Sequence, residues 1–168
     1  MSPHWRALAT LVGDLLRLRR GPQDVPHSPT LLLLALIPYA LLGCALAAFA
    51  MPASQALLYG PTEAALMALL VYVSLAIRRR PARYVQTLTA LTLVGVVFNA
   101  LSLPLTALAR PENGLGLLIL ALLAWSFAVS VHILRLALDI PLPGSVLVNL
   151  GFFFVAYFGL GYLFGLLT

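Results

Sequence analysis

Five long apolar segments, almost free of charged residues, take up most of this 168-residue chain. They are expected at about residues 30–50, 62–77, 84–109, 115–138 and 144–167. A helix needs about 20 consecutive apolar residues to cross the hydrocarbon core of a bilayer. Charged residues make up 9% of the chain, whereas a soluble domain has about a quarter. The sequence therefore predicts an all-α, polytopic membrane helical bundle with five transmembrane helices, without a separate soluble catalytic or nucleic-acid-binding domain.

Residues 1–29 are the only long stretch outside the apolar segments. Apolar side chains recur there at three- and four-residue intervals, at Trp5, Leu8, Leu11, Val12, Leu15 and Leu16. This pattern is typical of an amphipathic helix that lies in the interface beside anionic headgroups. A linker with three prolines follows, and Ser28-Pro29 has the chemistry of a helix start. We expect a cytoplasmic helix and proline-rich linker over 1–29, followed by the membrane domain over 30–168.

The ten basic residues are all arginine, and the five acidic residues leave a net charge of +5. Arginine runs of this kind can bind nucleic acid. These runs flank apolar segments and no soluble or aromatic module accompanies them, so we expect no nucleic-acid partner. With a cytoplasmic N-terminus, nine arginines lie inside and Arg110 lies outside, in agreement with the positive-inside rule. Five spans then place the C-terminus outside. The candidate interaction face consists of Arg17, Arg19, Arg20, Arg78, Arg79, Arg80 and Arg83.

The third apolar segment carries polar side chains within about 140° of arc, at about 100° per residue. They are Thr89, Thr92, Asn99, Ser102 and Thr106. Hydrogen bonding between helices is the common role of such residues, and we favour it here. The alternative is a polar path for a small solute.

Ionisable residues near the segment ends form a second group of candidates. His132, Arg135 and Asp139 lie near the cytoplasmic end of the fourth segment, and Arg135 and Asp139 are spaced to form an ion pair. We interpret the trio as an interfacial anchor, and a functional role for its histidine stays open. Glu63 is expected in the first turn of the second segment, where an acid complements the helix dipole. Glu112 is expected as a solvated acid at a segment end.

Aromatic residues and glycines alternate in the last apolar segment. Gly161 and Gly165 are spaced as a pair of small residues that permits a close helix crossing, with Tyr157 one turn earlier. We favour a neighbouring helix of the same chain, and the alternative neighbour is a second copy.

Catalytic signatures are missing from the sequence. It contains no zinc-protease, nucleotide-binding or serine-hydrolase motif, and one cysteine, Cys44, supplies no thiolate cluster. We therefore predict a protein without enzymatic activity, cofactor or metal.

Three local features resemble the Yip1 family of small five-span integral membrane proteins, particularly its compact bacterial members. The segment 16–24 leading into Pro26-x-Ser28-Pro29 looks like the entry segment of those chains. Leu58-Tyr59-Gly60-Pro61 is similar to the family's Asp-Leu-Tyr-Gly-Pro, and Gly161-Tyr162 to its Gly-Tyr pair. The resemblance implies a non-enzymatic helical bundle. Eukaryotic members bind Rab GTPases, a role that requires partners a bacterium lacks.

The use of arginine to the exclusion of lysine indicates a GC-rich, bacterial genome, and the location expected is the bacterial inner membrane. The function expected is that of a non-catalytic membrane protein that organises the membrane or recruits partners through its cytoplasmic face. Its partners would be anionic headgroups and either another protein or further copies of the chain. The alternative is a small-solute transporter or channel subunit that acts as an oligomer.

Overall fold

A computed structural model of the chain describes residues 3–110 and 112–165, with side chains from Arg6 onward. These residues form six α-helices and no strand. The helices are α1 (Pro3–Leu16), α2 (Pro29–Ala47), α3 (Ala53–Ile77), α4 (Tyr84–Leu108), α5 (Leu115–Leu138) and α6 (Leu142–Leu163). The helices α2 to α6 are long and apolar enough to cross a membrane. The predicted all-α bundle is confirmed, and the chain is an integral membrane protein.

The turns between the helices give the bundle two chemically different ends. One end, here called the basic end, carries α1, the α3–α4 turn and the α5–α6 turn. It also carries every arginine of the described residues except Arg110. The other, called the neutral end, carries the α2–α3 turn, the α4–α5 turn and the last residues of α6.

The five long helices pack as a ring of neighbouring pairs. The helix α2 packs against α3 and α4, α5 packs against α4 and α6, and α6 also reaches α3. Near the neutral end, the ring of Tyr59 in α3 contacts that of Phe164, the residue after α6, with 5.4 Å between the centroids. The main apolar core lies toward the basic end and includes Leu15, Leu88, Ile133 and Leu138.

The helix α1 packs on the basic end of the bundle. Leu11 and Leu15 are 5% and 0% exposed and belong to the main apolar core. In the linker that follows, the backbone carbonyl of Val25 accepts a hydrogen bond of 2.8 Å from Gln86 Nε2. The apolar face expected to meet headgroups therefore contacts α4 and α5 instead. The side chain of Trp5, assigned to the same face, lies outside the described residues.

The second span begins earlier than the sequence pattern indicated. The helix α3 starts at Ala53, so the expected loop over residues 51–61 and a start at Thr62 are wrong. Pro61 lies inside the helix. A proline has no N–H, so Pro61 cannot bond the carbonyl of Leu57, four residues earlier. The thiol of Cys44 lies 3.4 Å from that carbonyl oxygen and donates a hydrogen bond to it. A neighbouring helix thus satisfies the carbonyl that the proline leaves free, as membrane helices allow.

The other spans lie close to their expected positions. The helix α5 has the predicted bounds, and α4 ends one residue before the expected residue 109. The helix α2 ends at Ala47 rather than at residue 50, and α6 covers Leu142–Leu163 rather than 144–167. Residues 166 and 167 of that expected span lie outside the described residues.

Candidate intramembrane binding site

Two glycines bring α2 and α3 unusually close together. A Cβ atom added at Gly60 of α3 would lie 2.8 Å from the backbone nitrogen of Cys44 and 2.7 Å from its sulfur. A Cβ atom added at Gly43 of α2 would lie 3.3 Å from the Gly60 Cα atom. Membrane helices approach this closely where small residues face each other. The crossing fixes which side chains of α2 and α3 meet on the next turns.

The side chain that α2 contributes beside this crossing is Tyr39. Its hydroxyl donates a hydrogen bond of 3.0 Å to Glu63 Oε1 of α3. Its ring packs on Gly95 of α4, where an added Cβ atom would lie 2.5 Å from the Tyr39 Cε2 atom. Tyr39 is 8% exposed. Three helices therefore hold one phenol in place beside one carboxyl group.

Glu63 lies deep in α3, not at its first turn as expected. It follows the first residue of the helix by ten positions, which is about 15 Å along the axis at 1.5 Å per residue. Tyr39 is its one hydrogen-bond partner among the described residues. The ion pairs of the described residues, Asp14–Arg20 and Asp139–Arg80, do not include it. An ionisable side chain at membrane depth is costly, and it commonly marks a functional site.

Glu63 and Tyr39 line a cavity of about 430 Å³ between α3, α5 and α6. The described lining is apolar except for Tyr39, Glu63, Ser126, Ser130 and Asn149. The volume of the cavity falls within the range of small-molecule sites, which is about 300–1,000 Å³. Leu120 and Leu123 of α5, which line the cavity, are 60% and 52% exposed, and the side of the cavity that they line is here called its mouth. The cavity therefore opens on the side of the bundle that faces lipid.

The wall opposite Glu63 carries weaker polar groups. The Ser126 hydroxyl donates to the carbonyl of Leu123 in its own helix, at 2.8 Å. Asn149 of α6 is 8% exposed, and its Nδ2 atom lies 3.5 Å from the carbonyl of Phe127, a long contact that joins α6 to α5. Glu63 supplies the one carboxyl group in the described lining.

The polar side chains predicted on α4 do not reach this cavity. Leu91 is the only residue of α4 in the described lining. Thr89 and Thr92 are fully buried, and their hydroxyls donate to the carbonyls of Val85, at 2.6 Å, and Leu88, at 2.9 Å, in α4 itself. The other three candidates are half-buried toward the neutral end, and they are Asn99, Ser102 and Thr106. Interhelical hydrogen bonding, the favoured interpretation, is therefore wrong for Thr89 and Thr92.

Arginines of the α3–α4 turn bind the C-terminal carbonyls of α5. Arg83 Nη1 donates to the carbonyls of Leu136, at 3.0 Å, and Ala137, at 3.2 Å. Arg78 Nε donates to the carbonyl of Leu138 at 3.3 Å. The last carbonyls of a helix have no partner within the helix, and cations are favourable there. Arg78 and Arg83 of the predicted interaction face thus hold the α3–α4 turn against the C-terminal end of α5.

The expected ion pair between Arg135 and Asp139 does not form. Asp139 ends α5 with a left-handed φ of 53°, and Arg80 Nη2 lies 2.8 Å from its Oδ2 atom. Arg135 is exposed. His132 Nε2 lies 3.2 Å from the backbone oxygen of Arg20 and so holds the N-terminal segment to α5. The histidine serves as a contact between segments in this structure.

The remaining arginines of the predicted face divide into two groups. Arg20 forms an ion pair with Asp14, with 3.1 Å between Nε and Oδ2. Arg17, Arg19 and Arg79 are exposed, and within the described residues their side chains form no hydrogen bond or ion pair. Three arginines of the predicted face are therefore available to a partner.

The predicted packing surface of α6 is not formed as expected. Gly161 is buried, but Tyr157 is 54% exposed and stacks on Phe153 with 6.2 Å between ring centroids. Gly165 lies beyond the end of α6 with a φ of 67°, so it does not extend a helical surface. The spacing predicted a continuous helix through Gly165, whereas the helix ends at Leu163.

Sequence reasoning missed the roles of Tyr39, Glu63 and the glycines around them. Treating Pro61 as the end of a loop placed Glu63 at a helix start, where an acid is ordinary. Glu112, by contrast, is exposed in the α4–α5 turn, as expected. The sequence does contain a signal for this site. If Pro61 is accepted inside a membrane helix, Glu63 is a carboxyl group between two apolar runs of one span.

Comparisons with family models, with curated proteins and with solved structures found no match to this chain. Among the described residues, no three His, Cys, Asp or Glu side chains come together as a metal site. The chemistry of the site is that of an apolar cavity with a hydrogen-bonded carboxyl group in its wall.

Proposed function

We propose that the chain is a non-catalytic protein of the bacterial inner membrane that recruits a protein partner through its basic end, of the kind that the Yip1 resemblance implies. In this proposal the basic end and the N-terminus face the cytoplasm, and the C-terminus faces the periplasm. The observation that carries it is the convergence of two basic segments, distant in sequence, on the last two turns of α5. Their exposed arginines then present one positively charged surface.

The contacts of α5 support this proposal. The N-terminal segment reaches α5 through the backbone oxygen of Arg20 at His132. The α3–α4 turn reaches it through Arg83 at Leu136. These contacts bring Arg17, Arg19 and Arg79 to a common end of the bundle on ordered backbone. Exposed guanidinium groups attract acidic protein segments as well as anionic headgroups.

Site-specific photocrosslinking tests the recruiting role. A crosslinking amino acid at Arg19 and, separately, at Arg79 should trap the same protein in native membranes, while the matched position Glu112 at the neutral end should not. Capture at Arg19 should disappear when Arg17 and Arg79 are both replaced by glutamine, since the partner is held by charge. Capture of lipid alone, or equal capture at Glu112, would remove the proposal.

Thiol labelling tests the proposed orientation. In a Cys44→Ser background, a cysteine at Glu112 should react with an impermeant maleimide in intact cells, and a cysteine at Ala82 should not. Both residues are exposed in turns, so the two sites are matched in accessibility. The four arginines of 78–83 favour retention of this turn inside the cell. Labelling at Ala82 with protection at Glu112 would reverse the assignment.

A small-solute transporter or channel subunit that acts as an oligomer is the second candidate, and the cavity beside Glu63 is the observation that favours it. A path along α4 would make solute flux in proteoliposomes depend on Asn99, whereas a path through the cavity would make it depend on Glu63. Asn99→Leu and Glu63→Gln separate the two paths. Absence of flux across a panel of solutes would eliminate this candidate.

A further inference from the structure

We propose that the cavity between α3, α5 and α6 binds a lipophilic amine, that is, a molecule with one protonated nitrogen on an apolar body, and that Glu63 holds the nitrogen. The proposal goes beyond recruitment at the basic end, because the cavity lies within the membrane-spanning part of the bundle. It rests on the shape of the cavity, on the composition of its wall and on the hydrogen bonds of one carboxyl group.

The cavity wall selects an apolar body. Leucine, methionine and phenylalanine side chains of α3, α5 and α6 form most of the described lining. The volume of about 430 Å³ accommodates a compact hydrocarbon of drug-like size. The mouth lies beside Leu120 and Leu123, which face lipid, so a molecule dissolved in the bilayer can enter without crossing water.

The carboxyl group of Glu63 selects a cationic head. A carboxylate offers about four acceptor positions, and Tyr39 occupies one of them, at Oε1. None of the described lining residues is a lysine, arginine or histidine, so the chain supplies no countercharge within the cavity. An ammonium group donates hydrogen bonds and supplies that charge. A carboxylate or phosphate head would be repelled at the same place.

An acyl chain of an ordinary phospholipid is the main competing occupant. It would fill the apolar part of the cavity but would leave the acceptor positions of Glu63 that Tyr39 does not occupy without a donor, which is unfavourable in an apolar environment. The two occupants differ in a measurable way, because binding of an acyl chain does not depend on the charge of Glu63.

The test compares three compounds with the same apolar cage, which are 1-aminoadamantane, 1-adamantanol and 1-adamantanecarboxylate. Binding to the purified full-length chain in lipid nanodiscs is measured by calorimetry, with empty nanodiscs as the reference for partitioning into lipid. The amine should bind saturably and about tenfold more tightly than the alcohol, since a hydrogen bond to a charged group replaces a neutral one. The carboxylate should show no binding above the reference.

Glu63→Gln should reduce the affinity for the amine to the affinity that the parent chain has for the alcohol. The matched control Glu112→Gln should leave the affinity for the amine unchanged. Leu123→Trp, which narrows the mouth without touching Glu63, should also weaken binding of the amine, so the test does not depend on the folding of one variant. The proposal is overturned if the amine shows no saturable binding, if amine and alcohol bind equally, or if Glu63→Gln retains the affinity of the parent chain. It is also overturned if a co-purified phospholipid fills the cavity and the amine does not displace it.

Discussion

Polar side chains occur in two membrane-embedded regions of this protein, and their hydrogen bonds go to different places. On α4, the hydroxyls of Thr89 and Thr92 donate to carbonyls of the same helix, and both residues are fully buried. Between α2 and α3, the hydroxyl of Tyr39 donates to a carboxyl group on another helix, and that group lines a cavity. The first region has more polar residues, but the second has the open site.

The number of polar residues on a membrane helix therefore does not identify a site. A threonine satisfies its own hydroxyl with the carbonyl one turn earlier, so it needs neither a neighbour nor a ligand. A glutamate has no such donor within its helix, and another group must supply one.

Separating α2 from α3 should cause the largest loss of stability. Gly60→Val would place side-chain atoms against the backbone of Cys44, and the overpacking should lower the free energy of unfolding by about 3 kcal/mol. The matched control is Gly151→Val in α6, because an added Cβ atom there meets nothing within 4 Å. Unfolding in a denaturing detergent measures both variants. Equal stability of the two would show that the close crossing, and with it the placement of Glu63 beside Tyr39, is incorrect.

Removing an arginine that closes α5 should have the next largest effect. Arg83→Gln deletes charged hydrogen bonds to two carbonyls at the helix end and should cost about 2 kcal/mol in the same measurement. Arg79→Gln is the control, since Arg79 is exposed and its side chain forms no hydrogen bond or ion pair within the described residues, and we expect a change below about 0.5 kcal/mol. If the two substitutions cost the same, the arginines of this turn act only through net charge.

Tyr39→Phe isolates the hydrogen bond between α2 and α3. The ring and its packing on Gly95 remain, but Glu63 Oε1 loses its donor, so the free energy of unfolding should fall by about 1 kcal/mol. Tyr59→Phe is a matched control, because the Tyr59 hydroxyl forms no hydrogen bond within the described residues and its ring contact with Phe164 is kept. A fall of the same size in Tyr59→Phe would mean that the effect is not specific to Glu63.

Thr92→Val should have the smallest effect. Valine keeps the shape of threonine, and the carbonyls of Leu88 and Thr89 that accept from the hydroxyl lie in the same helix. Polar contacts within membrane bundles contribute on average about 0.6 kcal/mol, so the expected change is about 0.5 kcal/mol or less. A loss larger than that of Tyr39→Phe would invert the comparison between the two regions.

Most of the fold was predictable from the sequence, because an apolar segment long enough to cross a membrane can be recognised from its composition. The bounds of α5 agree with the apolar run residue for residue. The start of α3 was not predictable from Pro61, because the donor that compensates this proline is Cys44 on another helix. The site was missed for the same reason. Its parts, Tyr39, Glu63 and Gly95, lie on three helices, and only the packing of those helices brings them together.

The most direct test of the account compares the reactivity of one cysteine in the cavity with that of one on the buried face of α4. In a Cys44→Ser background, Ser130→Cys lies in the cavity wall and Thr92→Cys lies where the parent residue is 0% exposed. Both purified variants are treated in lipid nanodiscs with N-ethylmaleimide, which enters the bilayer, and modification is followed by intact-mass measurement. Modification should be faster at position 130 than at position 92, which should stay protected until the protein is unfolded. Modification at 92 with protection at 130 would contradict this prediction, because the open polar site would then lie on α4.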